Sequence, residues 1–523
     1  MNVRTRFWGT WLPEMVLVLA AAWTALFIPL YGLLFEGHSY SLDLLLAGGL
    51  VALLLAALGW VHPLLLLVLG FLVGLANAVY AHVAHFWRIG NLLIRIQTVL
   101  DSSPGEAREF IEVFVLRSKF AWFLLAHLFV GLALSGAYLY LRRRLGPPAW
   151  RLKGRLALAL LLGVAVGMVP KMKTYPLPVL VTTTYQAYKE LQPLLERKQN
   201  WEHIQAQVPP LECNDRYEKI VFILGESANR DFMSVYGFEM PTTPFLDQLQ
   251  PKVVLRAISP VNQTMTSVPI LFTAATVLDY DAFYTSPSVL TYLRRCGYQT
   301  FWLSNQLRYS PYTSSVSSIA SEADVVRFVL EVMQPKETPY DEVLLELLEP
   351  GDVVPGKKQA FFFHLLGSHF NWEDRYPPDK ALIPQPRNLV ETYINTIYYS
   401  DYVVSRIFDY FRSRTESMLF VYTSDHGEYV TEEEVGHAFS NAFQEEYRAP
   451  LVYWSTSPET LTPLAEAAKG RLVNMETLDL QLLYLVGLRE DPGLSFSTQV
   501  LSLGPPRVRD YRDLPSASYH EEP

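Results

Sequence analysis

Cysteine is scarce: Cys213 and Cys296 are the two in 523 residues. No Cys-x-x-Cys pair or zinc-finger spacing exists, which excludes a thiolate metal centre and a disulfide-built mini-protein. Sequence does not say whether the two meet in space, so one disulfide stays open. Charge is sparse as well, at 18% of residues against about 25% in an ordinary globular chain. That excludes a disordered chain and a charged coiled coil. Basic residues are in deficit from residue 171 onward, 30 against 45 acidic, a balance of −15. A nucleic-acid partner, which needs a basic face, is therefore excluded. Residues 1–170 carry 13 basic and 7 acidic side chains, or +6. Opposite charge in the two halves implies two domains in two environments.

What is abundant is apolar sequence. No charged residue occurs from Met15 to Phe35, from Leu44 to Trp87, from Phe120 to Leu141, or from Leu156 to Pro170. The second run is broken at Gly59-Trp60-Val61-His62-Pro63. A helix needs about 20 apolar residues to cross the hydrocarbon core. The expectation is five spans, at about 15–35, 44–59, 63–84, 120–141 and 155–171. The last is short and requires Arg155 and Lys171 to snorkel. Arg142, Arg143, Arg144, Arg151, Lys153 and Arg155 form one acid-free basic loop, and Arg4 and Arg6 stand at the N-terminus. The positive-inside rule makes both cytoplasmic, so everything after the fifth span lies on the far side. The first run is too long for a signal-peptide core and has no cleavage site after it, so it reads as an uncleaved anchor.

Residues 172–210 read as a bridging linker with an interfacial helix, and residues 506–523 as a C-terminal tail. Between them, 211–505, short β-rich runs alternate with amphipathic stretches. Ile220–Leu224, Thr300–Leu303, Ala360–Phe363 and Leu419–Tyr422 are the strand candidates. This pattern predicts an α/β domain with a mostly parallel central sheet and helices on both faces. Ligands of such sheets bind beyond the carboxyl ends of the strands. Three of those ends deliver acids and imidazoles: Glu226, then His364 and His369, then Asp425 and His426. Singly, each has a bland explanation as a cap, an Asx turn or a structural histidine. Together they form a mixed donor set that suits zinc, with manganese as the alternative. Thr264-Met265-Thr266-Ser267-Val268-Pro269 is a hydroxyl-rich turn entering an apolar helix. A cation would turn one of its hydroxyls into a nucleophile, and the pattern alone leaves Thr264, Thr266 and Ser267 open.

These motifs resemble the bacterial membrane-anchored phosphoethanolamine transferases of the alkaline phosphatase superfamily, with a sulfatase-like catalytic domain. Gly225-Glu226-Ser227-Ala228-Asn229-Arg230, with Tyr236-Gly237 and Thr242-Thr243-Pro244, resembles that family's opening motif. Ser424-Asp425-His426-Gly427-Glu428 resembles its most specific motif. The resemblance implies a zinc site of Glu226, Thr264, Asp425 and His426, and selects Thr264 as nucleophile because it stands five residues before Pro269. It further implies substrate contacts from His369, from His437 after Gly436, and from Asn305 in Ser304-Asn305-Gln306, with a second metal beside the histidines. The implied activity moves phosphoethanolamine from phosphatidylethanolamine, through a phosphothreonine, onto a lipopolysaccharide core sugar, lipid A or another surface glycan. The implied location is the inner membrane, with a cytoplasmic N-terminus and a periplasmic catalytic domain. The nucleophile loop lacks the flanking cysteines of the lipid A-modifying branch, which tilts the acceptor toward core sugars or other glycans. Competing expectations are a phosphoglycerol transferase using phosphatidylglycerol, a phosphatase or sulfatase-type hydrolase, and a catalytically dead membrane scaffold.

Overall fold

The computed structural model describes residues 12–26, 42–87 and 119–145 and, with single-residue exceptions, 193–306, 315–333, 339–503 and 506–517. The chain divides into two units, one mainly Met1–Arg88 with Glu106–Tyr188, the other mainly Lys189–Pro523. The first unit is helical. Among the described residues one helix, Ala121–Leu145, is long and apolar enough to cross a membrane, and Leu12–Leu26, Ala47–Gly59 and Pro63–Ala78 are shorter apolar helices. The last two sit within longer helices, Leu42–Val61 and Pro63–Trp87. Pro63 opens its helix where its missing N–H costs nothing. The count of five spans is not established, and the expected span at 155–171 lies outside the described residues. Polar groups inside this unit are tied helix to helix. Asn77 Nδ2 donates to Thr24 O at 3.0 Å and Tyr138 Oη to Gly59 O at 3.0 Å, as an apolar solvent requires.

In the second unit an eight-stranded sheet uses β1 (Lys219–Gly225), β2 (Lys252–Ile258), β3 (Gln299–Ser304), β4 (Val325–Phe328), β5 (Gln359–His364), β6 (Met418–Ser424), β9 (Pro450–Ser455) and β10 (Val473–Asn474). Two small ribbons pair β7 (Tyr429–Val430) with β8 (Val435–Gly436), and β11 (Gln499–Leu503) with β12 (Pro506–Asp510). The large sheet runs β10-β2-β9-β6-β1-β5-β3-β4 and is parallel except at β9, which is antiparallel to both neighbours. Each of the four predicted strand runs lies inside β1, β3, β5 or β6. Their continuous apolar sequences follow from burial on both faces. One face carries the helix Leu389–Arg412, whose Tyr393, Ile397, Val404 and Phe411 pack on Val221, Ile223, Phe361 and Phe363. On the other, Phe272 packs edge-on to Phe222 and Phe362 at ring distances of 5.3 and 5.8 Å. Phe272 ends the helix Thr264–Phe272 and so fixes that helix against the sheet centre.

The linker and tail boundaries differ from expectation. Arg197, from the presumed linker, is buried against Glu322, with Nη2 to Oε1 at 2.6 Å. The helix Trp201–Ala206 follows, and Cys213 and Cys296 form a disulfide. Residues 506–514 are not a free tail: they supply β12, then Tyr511 and Leu514 to a small core with Tyr447 and Val500. Their alternation of charge and short length hide this in the sequence.

Candidate active site

β1 and β6 are neighbours in register, Gly225 beside Ser424, so the residues that follow each strand emerge side by side. Glu226, Asp425 and His426 are almost fully buried there, with one ligand atom from each lying within 4.8 Å of the others. Thr264 is the first residue of its helix, and the preceding Gln263 is extended and makes no side-chain cap. The Thr264 hydroxyl is thus free to face the cluster. Its Oγ1 donates to Glu226 Oε2 at 3.0 Å and Oε1 at 3.2 Å, and lies 3.4 Å from His426 Nε2. Pro269 has no N–H to give to the carbonyl of Met265 one turn back. That carbonyl instead accepts from Ser315 Oγ and, at 3.4 Å, from Tyr280 Oη. The proline in the motif therefore ties the Thr264–Phe272 helix sideways to its neighbours.

His426 Nδ1 lies 2.7 Å from Gly427 O, so it carries the proton and Nε2 is presented to the site. Asp425 Oδ1 accepts from Ser227 N at 3.2 Å and His426 N at 2.8 Å, while Oδ2 is buried without a hydrogen bond, 3.6 Å from His426 Nε2. An unpartnered buried carboxylate oxygen is costly unless a cation meets it. Burial works to raise the Glu226 carboxyl, but the hydrogen bond and charge of His426 overcome it and hold Glu226 well below the usual range. Burial, then the Glu226 charge, pushes Asp425 up. Burial also opposes the charged form of His426, yet the two carboxylates raise it to about 10. Two acids and one imidazole, buried with ligand atoms within 4.8 Å of one another, are the electrostatics of a site built for positive charge. Two carboxylates and an imidazole nitrogen fit a divalent cation such as zinc.

A second set adjoins the first. Glu428, buried, contacts His437 Nδ1 at 2.7 Å, and the His437 ring lies 4.4 Å from that of His426. His426, Glu428 and His437 form a further group of close donor atoms. His369 is half-buried, with its Nδ1 unpartnered, and it acts electrostatically on Glu226. His364, at the end of β5, is fully buried with neither ring nitrogen bonded, and burial lowers its pKa to about 4. It is a neutral histidine. His364 is thus not a free donor at the strand end, and the alternation of acid and imidazole in Asp425-His426-Gly427-Glu428 is the sequence signal for Glu428. Asn305 is buried near the end of β3. Its Nδ2 donates to Pro339 O and Asp341 Oδ1, both at 2.9 Å.

The backbone around Glu226 is unusually constrained. Ser227 has φ +54°, held by Tyr393 Oη, which donates to Ser227 O at 2.7 Å and accepts from Asn229 N at 2.8 Å. Gly367 has φ +53°, and a Cβ there would stand 2.8 Å from both the N and O of Glu226. Positive φ at such places marks a conformation imposed by the surroundings.

Residues 218–465 match the sulfatase family. The second unit is built on a sulfatase domain. Its relatives include enzymes named phosphoethanolamine transferases. Phosphoethanolamine transferase EptC of Escherichia coli O18:K1:H7 is 27% identical over 280 residues, 48% of this chain and 48% of that protein. The putative transferase YhbX of Escherichia coli K12 is 30% identical over 240 residues, 45% of this chain and 42% of that protein. The chain thus spans about half the length of the curated relatives it matches. The integral membrane protein lipooligosaccharide phosphoethanolamine transferase A from Neisseria meningitidis shares the fold over 90% of this chain and 95% of its own, with TM-score 0.61 and 18% identity. The likeness extends beyond the sulfatase domain into the helical unit.

Proposed function

We propose that this chain transfers phosphoethanolamine from phosphatidylethanolamine to lipid A, a lipopolysaccharide core sugar or another surface glycan, at the periplasmic face of a bacterial inner membrane. The observation that carries the reading is the Thr264 hydroxyl, 3.0 and 3.2 Å from the Glu226 carboxylate at the start of a helix. Relatives named phosphoethanolamine transferases, EptC among them, support the donor group, and for that reason phosphatidylglycerol is not favoured as donor. A zinc ion held by Glu226, Asp425 and His426 with Thr264 would lower the pKa of the hydroxyl and offset charge on the phosphoryl oxygens.

Thr264 Oγ1 forms a bond to phosphorus as the bond from phosphorus to the diacylglycerol oxygen breaks. The threonine proton, directed at Glu226, leaves with the diacylglycerol hydroxyl. In the second half an acceptor hydroxyl or singly protonated phosphate oxygen attacks the same phosphorus, the bond from phosphorus to Thr264 Oγ1 breaks, and the acceptor's proton passes to Thr264. His437 spends Nδ1 on Glu428, which leaves Nε2 for a phosphoryl oxygen or a second metal, and His369 is assigned the same work. Confining enzyme, donor and acceptor to one membrane raises their effective concentration.

Peptide mass spectrometry after incubation with phosphatidylethanolamine tests this directly. A phosphoethanolamine adduct on the Thr264 peptide, absent in Thr264→Ala together with transfer, is expected. An adduct formed only from phosphatidylglycerol overturns the donor, and full transfer by Thr264→Ala overturns the nucleophile.

A further inference from the structure

The turn from His364 to His369, which leaves β5, accounts for every main-chain N–H after the strand. Leu365 N donates to Leu224 O and Ser368 N to Glu226 O, each at 2.9 Å, and His369 N to Leu366 O at 3.1 Å. The two between them, Leu366 N and Gly367 N, both donate at 2.8 Å to the carboxylate of Asp341. Asp341 is buried, at 4% exposure, and comes from a separate segment, the 3-10 turn Asp341–Leu347. Its Oδ1 also accepts from Asn305 Nδ2, while the Asn305 N donates to His364 O at 3.0 Å. A buried carboxylate sharing three N–H donors is a strong, directional anchor. What it anchors is the strip of backbone pressed on Glu226, where Gly367 leaves no room for a Cβ and Ser368 bonds the Glu226 carbonyl.

We propose that Asp341, oriented by Asn305, is a positioning residue for the metal ligand Glu226. It hangs the turn so that Gly367 and Ser368 fix the main chain of Glu226 from behind, and it sets where His369 begins. This gives Asn305 a supporting place through its Nδ2. The inference rests on the reading above in one respect, that Glu226 ligates the cation. Asp341 itself touches neither cation nor substrate. Its removal therefore acts on ligand geometry, and partners of this kind are worth about 10–100-fold in metal affinity or activity.

The test uses the full-length protein in detergent, with zinc affinity read by competition against a chromogenic chelator, and with kcat and KM for phosphatidylethanolamine. Asp341→Asn turns an amide N–H₂ toward one of the two backbone donors. It is expected to weaken zinc binding about tenfold or more and to lower kcat similarly, with KM within about twofold. Asn305→Ala is expected to move both in the same direction by less, and it decides the matter if Asp341→Asn does not fold. Wild-type zinc affinity and kcat in a folded Asp341→Asn, or in Asn305→Ala should that be the only folded variant, overturn the proposal. A wild-type chain that binds zinc but forms no Thr264 adduct sinks the transfer reading and leaves this one standing. A wild-type chain that binds no zinc overturns both.

Discussion

Gly367→Ala separates two costs that a glycine can hide. Gly367 and Gly470 both have positive φ, +53° and +67°, but a Cβ at Gly470 meets nothing within 4 Å. Gly470 follows the helix Thr462–Ala468 and its C-cap Lys469 on the exposed surface, so Gly470→Ala incurs only the left-handed backbone, about 1–2 kcal/mol. At Gly367 the same term applies, and the new methyl also stands 2.8 Å from the backbone N and O of Glu226. Backbone atoms cannot swing aside as a side-chain tip can, which adds about 1–3 kcal/mol of overpacking. The expected totals are about 1–2 kcal/mol for Gly470→Ala and about 2–5 kcal/mol for Gly367→Ala. Urea midpoints by circular dichroism, in one detergent and with wild-type m-values, measure the difference. Zinc affinity should fall in Gly367→Ala and stay unchanged in Gly470→Ala, since the first displaces a ligand's main chain. Equal losses of stability, or an intact zinc affinity in Gly367→Ala, refute the reasoning.

Two further outcomes follow from features away from the zinc ligands. The Cys213–Cys296 disulfide spans 83 residues, and closing a loop of that length is worth about 4–5 kcal/mol in the chain-entropy account. Reductant, or the double serine variant, should lower the unfolding midpoint accordingly, and an unchanged midpoint refutes it. Asp401 is buried, accepts from Phe245 N and Leu246 N at 2.7 and 3.1 Å, and burial raises its pKa to about 7. The folded state then holds that proton more tightly than the unfolded chain, whose carboxyl titrates near about 3.9. Its contribution is complete below that value and is lost as pH rises through about 7. Asp401→Asn should flatten this part of the stability profile between about pH 4 and 7, and a pH series of midpoints that keeps the wild-type slope counts against it.

The central strands were legible because burial on both faces writes itself as unbroken apolar sequence, as in Ile220–Leu224 and Ala360–Phe363. β9 was not, although Pro450–Ser455 is just as apolar: nothing local in a strand states that it runs antiparallel to its neighbours. β10 has only two residues, too few for any period. Thr264, Glu226, Asp425 and His426 are found together because each follows a strand or opens a helix, positions that sequence marks with turn residues. The supporting layer was hidden for the opposite reason. Asp341, Tyr393 and Asn305 act through hydrogen bonds to distant backbone, and those partners exist only once the sheet has formed. Asn305, singled out by its motif as a substrate residue, spends its Nδ2 on such a bond to Pro339 O.

The pairing of β1 with β6 also dates the site within the life of the chain. Ser227 and Asp425, joined by a hydrogen bond, are 198 residues apart. At about 5–20 residues per second, the ribosome needs about 10–40 s to travel between them. For the last 161 of those residues Thr264 already exists, but Asp425 and His426 do not, and its hydroxyl is an ordinary alcohol. A truncated or stalled chain carries the proposed nucleophile without the residues proposed to arm it. Reactivity arrives only with the completed sheet, so the fold itself times the chemistry.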